Sequence, residues 1–208
     1  MIEQLDIIWY NVVKMLKNRG HDISKVNTQS PLELIKIQYQ KQLDGEHAMD
    51  IFIRGADRKC YVMFLTENDF DPKNKKDYGF MHRHTEILTQ SHYLGEQDEI
   101  IFVILKEDIE TEKLYVIEEA DPRVSVFHYK RLLFDLSEHQ FVPTHEKIDE
   151  SEKKLIKRKL SLQTWNQLPA LEKSDAVCRY YGYRRGDIIK ITRPTYASGP
   201  HVVYRVVI

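Results

Sequence analysis

Cysteine is scarce in this 208-residue chain, which contains only Cys60 and Cys178. Two thiols so far apart in the sequence provide neither a disulfide framework nor a Cys-x-x-Cys metal site. An apolar or aromatic residue adjoins each of them, Tyr61 in the first case and Val177 in the second. We therefore expect both cysteines to be buried and reduced.

Long hydrophobic runs are also missing. The longest is Ile100–Leu105, whereas a membrane-spanning helix needs roughly 20 apolar residues. The segment Met1–Gly20 lacks the basic stretch and the small-residue cleavage site of a signal peptide. We therefore expect an intracellular protein with no membrane partner.

The common catalytic and metal-binding motifs are absent. The sequence has no Gly-x-Ser-x-Gly elbow and no glycine-rich phosphate loop. His82 and His84 form the only close histidine pair, but residues two apart on a helix point in different directions. His145-Glu146 begins like a zinc-protease motif, yet no second histidine follows at the required spacing. We predict no catalytic residue, no metal site and no cofactor.

Asp50 and the segment Asp57-x-Lys59 resemble the acids that bind Mg²⁺ in restriction-type nucleases. Here Asp57 falls in a predicted turn, and Asp50 lies further back along the preceding strand. At about 3.3 Å per residue, the two carboxylates would be roughly 13 Å or more apart, which is too far to share one ion. The next strand, Cys60–Leu65, contains no acid. The spacing argues against a nuclease, which is kept as an alternative to test.

Charge is distributed unevenly along the chain, although the formal net charge is only −1. Residues 140–208 contain 13 Lys and Arg against 7 Asp and Glu, whereas residues 1–139 contain 18 against 25. This division predicts two domains, 1–139 and 140–208. A basic domain can bind nucleic acid or dock on an acidic protein surface, and charge alone does not decide between them.

The first domain is predicted to contain three helices around a small sheet, an α/β arrangement. The helices are indicated by apolar residues at spacings of three and four and by capping residues. The helix boundaries are marked by Gly20, by Ser30-Pro31 and Asp44-Gly45, and by Phe80 and Gly95. The predicted strands are Met49–Arg54, Lys59–Leu65, Glu99–Leu105 and Val124–Tyr129, and a charged segment, Lys106–Lys113, precedes Leu114–Ile117.

The second domain is predicted to be a small mixed α/β unit. A lysine-rich helix, Glu150–Leu160, follows Asp149 as its cap, and a short helix ends at Gly182. Two strands, Asp187–Arg193 and Val202–Ile208, come last. The basic helix offers either phosphate contacts or an ordinary solvated face. The neighbouring tyrosines could stack on bases or belong to the core.

The C-terminal sequence closely resembles one known domain, over about 70 residues. The motifs that carry the resemblance are Leu168-Pro169, Asp175–Gly182, Arg185-Gly186, Ile189–Pro194, Ser198-Gly199 and Tyr204-Arg205. They are similar to the C-terminal domain of the fifth common subunit of eukaryotic RNA polymerases, a domain that archaeal RNA polymerases contain as a separate small polypeptide. Phe141-Val142-Pro143 resembles the segment that leads into that domain.

The N-terminal half resembles the eukaryotic subunit more loosely. Trp9–Gly20, Ile100–Leu105 and Val126–Phe134 occur in the expected order. The resemblance implies a jaw domain with a restriction-endonuclease-like sheet and helices that lacks the catalytic acids. The small archaeal polypeptide has no such domain, so the chain resembles the long form of the family.

The sequence departs from the family pattern at several positions. Ala176 replaces the usual proline after aspartate, and Pro200-His201 replaces a basic-aromatic pair. Ile109–Glu112 occupies the region of a Thr-Pro loop, which puts the jaw contacts with DNA in doubt. These departures suggest a distant lineage, for which a large DNA virus encoding its own polymerase is one candidate.

The resemblance implies a non-catalytic subunit of a multisubunit DNA-dependent RNA polymerase. Its C-terminal assembly domain would dock on the largest subunit beside other small subunits, and its jaw domain would touch downstream duplex DNA weakly. A nuclear location is implied for a cellular protein, and the host cytoplasm and virion for a viral one. The residues expected to dock are Tyr180, Tyr181, Arg184, Arg185, Lys190, Arg193, Tyr204 and Arg205. The alternative is a free-standing nucleic-acid-binding protein that uses the basic C-terminal domain.

Overall fold

A computed structural model describes residues 2–26, 32–55, 58–70, 79–194 and 199–208. The chain divides into two compact units, Met1–Phe134 and Asp135–Ile208. Within the described ranges, no helix is both long and apolar enough to cross a membrane. The Ser30-Pro31 cap, Asp57 and Ser198, which were singled out in the sequence, lie outside the described residues.

The first unit is a four-stranded mixed sheet with helices. Its helices are α1 (Leu5–Asn18), α2 (Leu32–Leu43), α3 (Phe80–His92) and α4 (Thr111–Ala120). Its strands are β1 (Ile51–Arg54), β2 (Lys59–Leu65), β3 (Glu99–Ile104) and β4 (Val124–His128). The strand order is β1-β2-β3-β4, with β1 antiparallel to β2 and the other two pairs parallel.

The central strand and the hairpin confirm the sequence prediction. Every residue of β3 is buried, as expected for a continuous apolar run between two parallel neighbours. β1 and β2 pair with Arg54 opposite Lys59, and the amide of Gly55 donates to the carbonyl oxygen of Arg58 at 3.1 Å. The hairpin around residues 55–58 is therefore present.

The end of α3 differs from the prediction, which placed its stop at Gly95. The helix ends at His92 instead, and its C-cap residue, Tyr93, adopts the left-handed conformation with φ of 51°. Such a conformation costs a non-glycine residue about 1 kcal/mol or more. Here the Lys59 ammonium donates to the carbonyl oxygens of His92 (3.2 Å) and Tyr93 (2.7 Å), so a cation holds the helix C-terminus.

The helix α4 was missed, so the prediction of three helices in this region was wrong. The charged segment Lys106–Lys113 was kept separate from Leu114–Ile117, but α4 joins Thr111 to Ala120. Leu114 and Ile117, three residues apart, are both buried in the core of this unit. Leu114–Ile117 is one short continuous apolar run, and such a run cannot be assigned to a helix rather than a strand by periodicity alone.

The second unit is a smaller sheet with one helix on each face. Its elements are β5 (Thr144–Lys147), α5 (Glu150–Lys159), β6 (Ala170–Leu171), α6 (Ala176–Tyr181), β7 (Ile188–Arg193) and β8 (His201–Val207). The strand order is β5-β7-β8-β6. β7 pairs antiparallel with β5 and β8, and β6 runs parallel to β8.

Side-chain alternation along β7 separates two apolar clusters. Ile189 and Ile191 pack with Cys178 of α6 on one face. Ile188 packs with Ile156 of α5 on the other face. The cap of α5 confirms the prediction, because the Asp149 carboxylate accepts from the Glu152 amide at 2.8 Å. Both units mix helices and strands, so the predicted α/β class is confirmed.

Candidate docking surface

The register of the final hairpin separates the predicted docking residues. Paired residues in an antiparallel sheet point to the same face, and successive residues alternate. Lys190 pairs with Tyr204, which places both on the face covered by α5. Arg193 pairs with His201, and Arg205 pairs with Ile189, which places both arginines on the face covered by α6.

Lys190 and Tyr204 already have partners on the α5 face. The Lys190 ammonium lies 3.8 Å from both Glu146 of β5 and Glu152 of α5. Tyr204 is partly buried against the apolar cluster beneath α5. A partner protein would therefore compete with contacts inside the unit to reach the charge of Lys190.

Arg205 is also used within the unit. Its Nη1 donates to the carbonyl oxygen of Ala170 at 2.8 Å, which joins β8 to the two-residue strand β6. A guanidinium has five N–H donors, so this bond leaves others for a partner.

Arg184 and Arg185 occupy the turn between α6 and β7. The Arg184 amide donates to Oδ2 of Asp187 at 2.8 Å, and Oδ1 of Asp187 is 2.7 Å from the Lys147 ammonium. Gly186, with φ of 89°, provides the left-handed residue that the turn requires. This geometry leaves the Arg185 side chain exposed at the tip of the turn.

The tyrosines of this region are mainly core residues. Tyr180 is only 6% exposed, and its hydroxyl lies 3.4 Å from Oδ1 of Asp135. Tyr181 stacks on Tyr183 with a centroid separation of 5.4 Å and an interplanar angle of 12°. The Tyr183 hydroxyl donates to the carbonyl oxygen of His145 at 3.1 Å, and burial raises the pKa of this phenol. The aromatic group joins α6 to β5.

Arg185 and Arg193 are the two predicted docking cations that are both exposed and, among the described residues, without an ion-pair partner. They flank opposite ends of β7. Five steps along a strand cover about 17 Å from Ile188 to Arg193. This spacing favours a partner that presents two separate acceptors over one that presents a single carboxylate.

Exposed apolar side chains near this surface were not among the predicted docking residues. Phe141 is 80% exposed and Val202 of β8 is 40% exposed. Leu155 and Leu160, beside the basic residues of α5, are 62% and 45% exposed. The exposed position of Val202 depends on the sheet register, which the sequence does not give. The exposure of Phe141 could have been suspected from the sequence, because this aromatic residue follows the polar segment Ser137–Gln140.

Asp50 and Lys59, the two described residues of the nuclease hypothesis, have structural partners. Oδ2 of Asp50 accepts from the Tyr61 hydroxyl at 3.0 Å, and Oδ1 accepts from the Phe64 amide at 2.9 Å. Burial raises the pKa of Asp50 to about 6. Lys59, as described above, caps α3. These two side chains hold the sheet together and are not arranged around a common metal position.

His21, Cys60 and Glu99 bring three potential ligand atoms within 4.8 Å of one another in the first unit. Oε2 of Glu99 accepts from Nη1 of Arg19 at 3.0 Å and lies 3.2 Å from Nε2 of His21, while Oε1 is 2.8 Å from Nη1 of Arg58. Two guanidiniums neutralise this carboxylate and would repel a divalent cation. Burial raises the pKa of the Cys60 thiol, whereas a metal requires the thiolate. We assign the group as a structural ion cluster.

The sequence of the second unit matches a known family. Residues 134–207 match the family model described as RNA polymerase Rpb5, C-terminal domain. The matched span begins one position before the second compact unit, Asp135–Ile208, and includes the whole of its sheet.

Two curated relatives match most of the chain, and a third matches a shorter part of it. DNA-directed RNA polymerase V subunit 5A of Arabidopsis thaliana is 25% identical over 199 residues, 95% of this chain and 85% of the relative. Subunit RPABC1 of polymerases I, II and III of Caenorhabditis elegans is 26% identical over 204 residues, 95% of this chain and 92% of the relative. The corresponding protein of Dictyostelium discoideum is 35% identical over 79 residues, 38% of this chain and 40% of the relative.

Proposed function

We infer, from the membership of residues 134–207 in the RNA polymerase Rpb5 C-terminal domain family, that this chain is a subunit of a multisubunit DNA-dependent RNA polymerase. The observation that carries the inference is the coincidence between the matched residues and a complete folded unit. The relatives are named as polymerase subunits, and the similarity to two of them also spans 95% of this chain.

The second unit is the assembly domain in this proposal, and it docks on the largest polymerase subunit beside neighbouring small subunits. Arg185 and Arg193 support this role because they are exposed cations about a strand length apart on a rigid hairpin. Guanidinium groups at such positions suit bidentate contacts with carboxylates or backbone carbonyls. Tyr181 is partly buried against the apolar cluster beneath α6. It therefore offers a partner only the exposed edge of its ring, and does not project as a separate anchoring side chain.

The first unit is the jaw domain in this proposal, beside downstream duplex DNA. Residues 1–139 contain more acidic than basic residues. Because DNA phosphates attract basic surfaces, this acidic excess limits the first unit to weak contact with DNA. We also propose that the subunit is non-catalytic. Both oxygens of Asp50 are already hydrogen-bonded inside the fold, and the Lys59 ammonium is bound to backbone carbonyls.

The relatives come from eukaryotes, and a nuclear location follows for a polymerase subunit of that kind. They give no support to the expectation of a viral source.

Affinity purification of the full chain from its native cells tests this function. A tagged chain is expressed at native level, and the copurifying proteins are identified by mass spectrometry. The expected result is stoichiometric recovery of the two large polymerase subunits, resistant to nuclease treatment. Recovery with nucleic acid alone, lost on nuclease treatment, would instead assign the chain as a free-standing nucleic-acid-binding protein.

A further inference from the structure

A cleft of about 560 Å³ lies beside β1 in the first unit, outside the residues matched by the family model. This volume is within the range of ligand sites. All four residues of β1 line it, together with the preceding Asp50. The opposite lining comes from other elements, namely Trp9 of α1, Asp22, Lys25 and Val26 after α1, Gln38 of α2, and Ala48.

The cleft exposes the backbone edge of β1 rather than one face of the strand. Side chains of successive strand residues point to opposite faces, so one face could not present Ile51, Phe52, Ile53 and Arg54 together. What these residues share is their common edge. Among the strands of the described residues, β1 is the outermost of its sheet, with β2 as its partner on the other side.

The hydrogen-bond pattern identifies which backbone groups point into the cleft. The Gly55 amide donates to the carbonyl of Arg58, and bonded pairs alternate along an antiparallel ladder. Ile53 and Ile51 therefore bond to β2. Phe52 and Arg54 direct their N–H and C=O groups outward, where the described residues provide no backbone partner.

Gln38 provides a second unsatisfied group in the same cleft. Its Oε1 is buried and has no hydrogen-bond partner within the described ranges. A buried acceptor left unpaired has lost its hydration without gaining a hydrogen bond, which costs free energy. A ligand that donates an N–H at this point would remove that cost.

We propose that this cleft binds an extended peptide segment of a partner protein, which adds to β1 as a further strand. An extended backbone supplies alternating donors and acceptors for Phe52 and Arg54 and an N–H for Gln38. The lining near Trp9, Ala48, Ile51 and Ile53 accepts small or apolar side chains. A segment of about four residues, roughly 13 Å, matches the length of β1.

A second folded copy of this chain fits the cleft poorly. Each copy carries its own wall, Asp22–Val26, beside its own β1. Two such walls would meet before the two strand edges could pair, whereas a slender segment can enter. The exposed charges at the rim, Asp22, Lys25 and Arg54, are of mixed sign, so they select no strongly charged peptide.

A linear dodecapeptide phage library, panned on the full chain, tests this proposal. Enriched peptides are resynthesised with a fluorophore, and Kd is measured by anisotropy. Arg54→Pro removes an outward N–H at an edge position where proline is tolerated, so we expect at least a tenfold increase in Kd. The matched control Arg54→Ala removes the charge and keeps the N–H, and it is expected to change Kd less than twofold.

Two further measurements do not depend on the folding of the proline variant. Gln38→Leu should weaken binding about fivefold, and Gln40→Leu, at an exposed position of the same helix, should not. Peptide binding should slow hydrogen exchange at the Phe52 and Arg54 amides of the unmodified chain. Peptides that bind equally to Arg54→Pro, or that protect other amides, would overturn the proposal. So would the absence of enriched peptides, or a dimer that Arg54→Pro dissociates.

Discussion

The guanidinium of Arg19 lies 3.0 Å from the carboxylate of Glu99, and side-chain exposures of 1% and 5% place this ion pair in the interior of the first unit. Arg58 contacts the second oxygen of Glu99 and also donates to the carbonyl oxygen of Arg19. One carboxylate at the start of β3 therefore joins the end of α1 to the β1–β2 turn. The ionised Glu99 carboxylate compensates part of the desolvation cost of these arginines.

Replacement of Glu99 by glutamine should strongly destabilise the protein. The change removes the carboxylate charge that faces the buried Arg19 guanidinium and the partly buried Arg58 guanidinium, for which a loss of about 3 kcal/mol in the free energy of unfolding is expected. Urea denaturation at pH 7 measures this loss. Glu86→Gln, at an exposed position of α3, is the matched control and should change stability by less than about 0.5 kcal/mol. A Glu99→Gln variant as stable as the control would show that the cluster contributes nothing.

The stability of the protein should depend on pH with opposite slopes above and below about pH 4. Burial alone would raise the pKa of Glu99, but the His21 hydrogen bond and the charges of Arg19 and Arg58 lower it to about 2. Its contribution is full above the unfolded value of 4.5 and is lost as the pH falls towards 2. Burial raises the pKa of Asp50 from 3.8 to about 6, so ionisation of Asp50 destabilises the fold as the pH rises between these values.

The variant Asp50→Asn isolates the second slope. It should reduce the decline in stability between pH 4 and pH 6, which is worth about 2 kcal/mol for a shift of this size. Chemical denaturation at half-unit pH intervals measures the difference. The slope below pH 4, to which Glu99 contributes, should be unaffected. An unchanged slope between pH 4 and pH 6 in this variant would contradict the assignment.

Charge reversal at Arg193 should weaken incorporation into the polymerase while leaving the fold intact. Arg193 is exposed at the end of β7 and, among the described residues, makes no ion pair that folding would lose. We expect Arg193→Glu to reduce recovery of the largest subunit at least fivefold in the affinity purification. Arg158→Glu, another exposed arginine of the same unit, is the control and should retain normal recovery. Normal recovery of both variants would remove Arg193 from the docking surface.

Loss of the Tyr183 hydroxyl should loosen β5. Tyr183→Phe removes the hydrogen bond to the His145 carbonyl and keeps the stacking on Tyr181, so a loss of about 1 kcal/mol is expected. Denaturation reports the loss, and faster hydrogen exchange confined to β5 reports its position. Tyr93→Phe, on an 84% exposed side chain, is the control. If Tyr183→Phe were as stable as Tyr93→Phe, the His145 carbonyl would have to accept another hydrogen bond when the Tyr183 hydroxyl is missing.

The parts of the fold that the sequence predicts well are those specified by local pattern. Ile100–Ile104 of β3 is a continuous apolar run, Asp149 is followed by Glu152 at the capping distance, and Gly182 stops α6. Tyr93 ends α3 for a non-local reason, because Lys59 from β2 binds the carbonyls at its end. No pattern within residues 80–95 contains that information.

The docking surface shows a similar division between local and non-local information. The sequence indicates a basic hairpin with arginines and tyrosines, and the structure contains that hairpin. In the structure Lys190 and Tyr204 share one face, and Arg193 and Arg205 share the other. The sequence does not indicate which of these side chains share a face of the sheet, because this depends on the register of two strands. Nor does it indicate that Tyr180 is buried beneath Asp135 and Ser137.

The strand order β5-β7-β8-β6 has a consequence for biosynthesis. β8 follows the other three strands in the chain but lies between β7 and β6, and β6 has β8 as its pairing partner. On a ribosome, β6 and β7 emerge first and have no common neighbour until Val207 leaves the exit tunnel. The second unit therefore completes its sheet only after His201–Val207 has emerged, and a nascent chain stalled before His201 would present unpaired strand edges to chaperones.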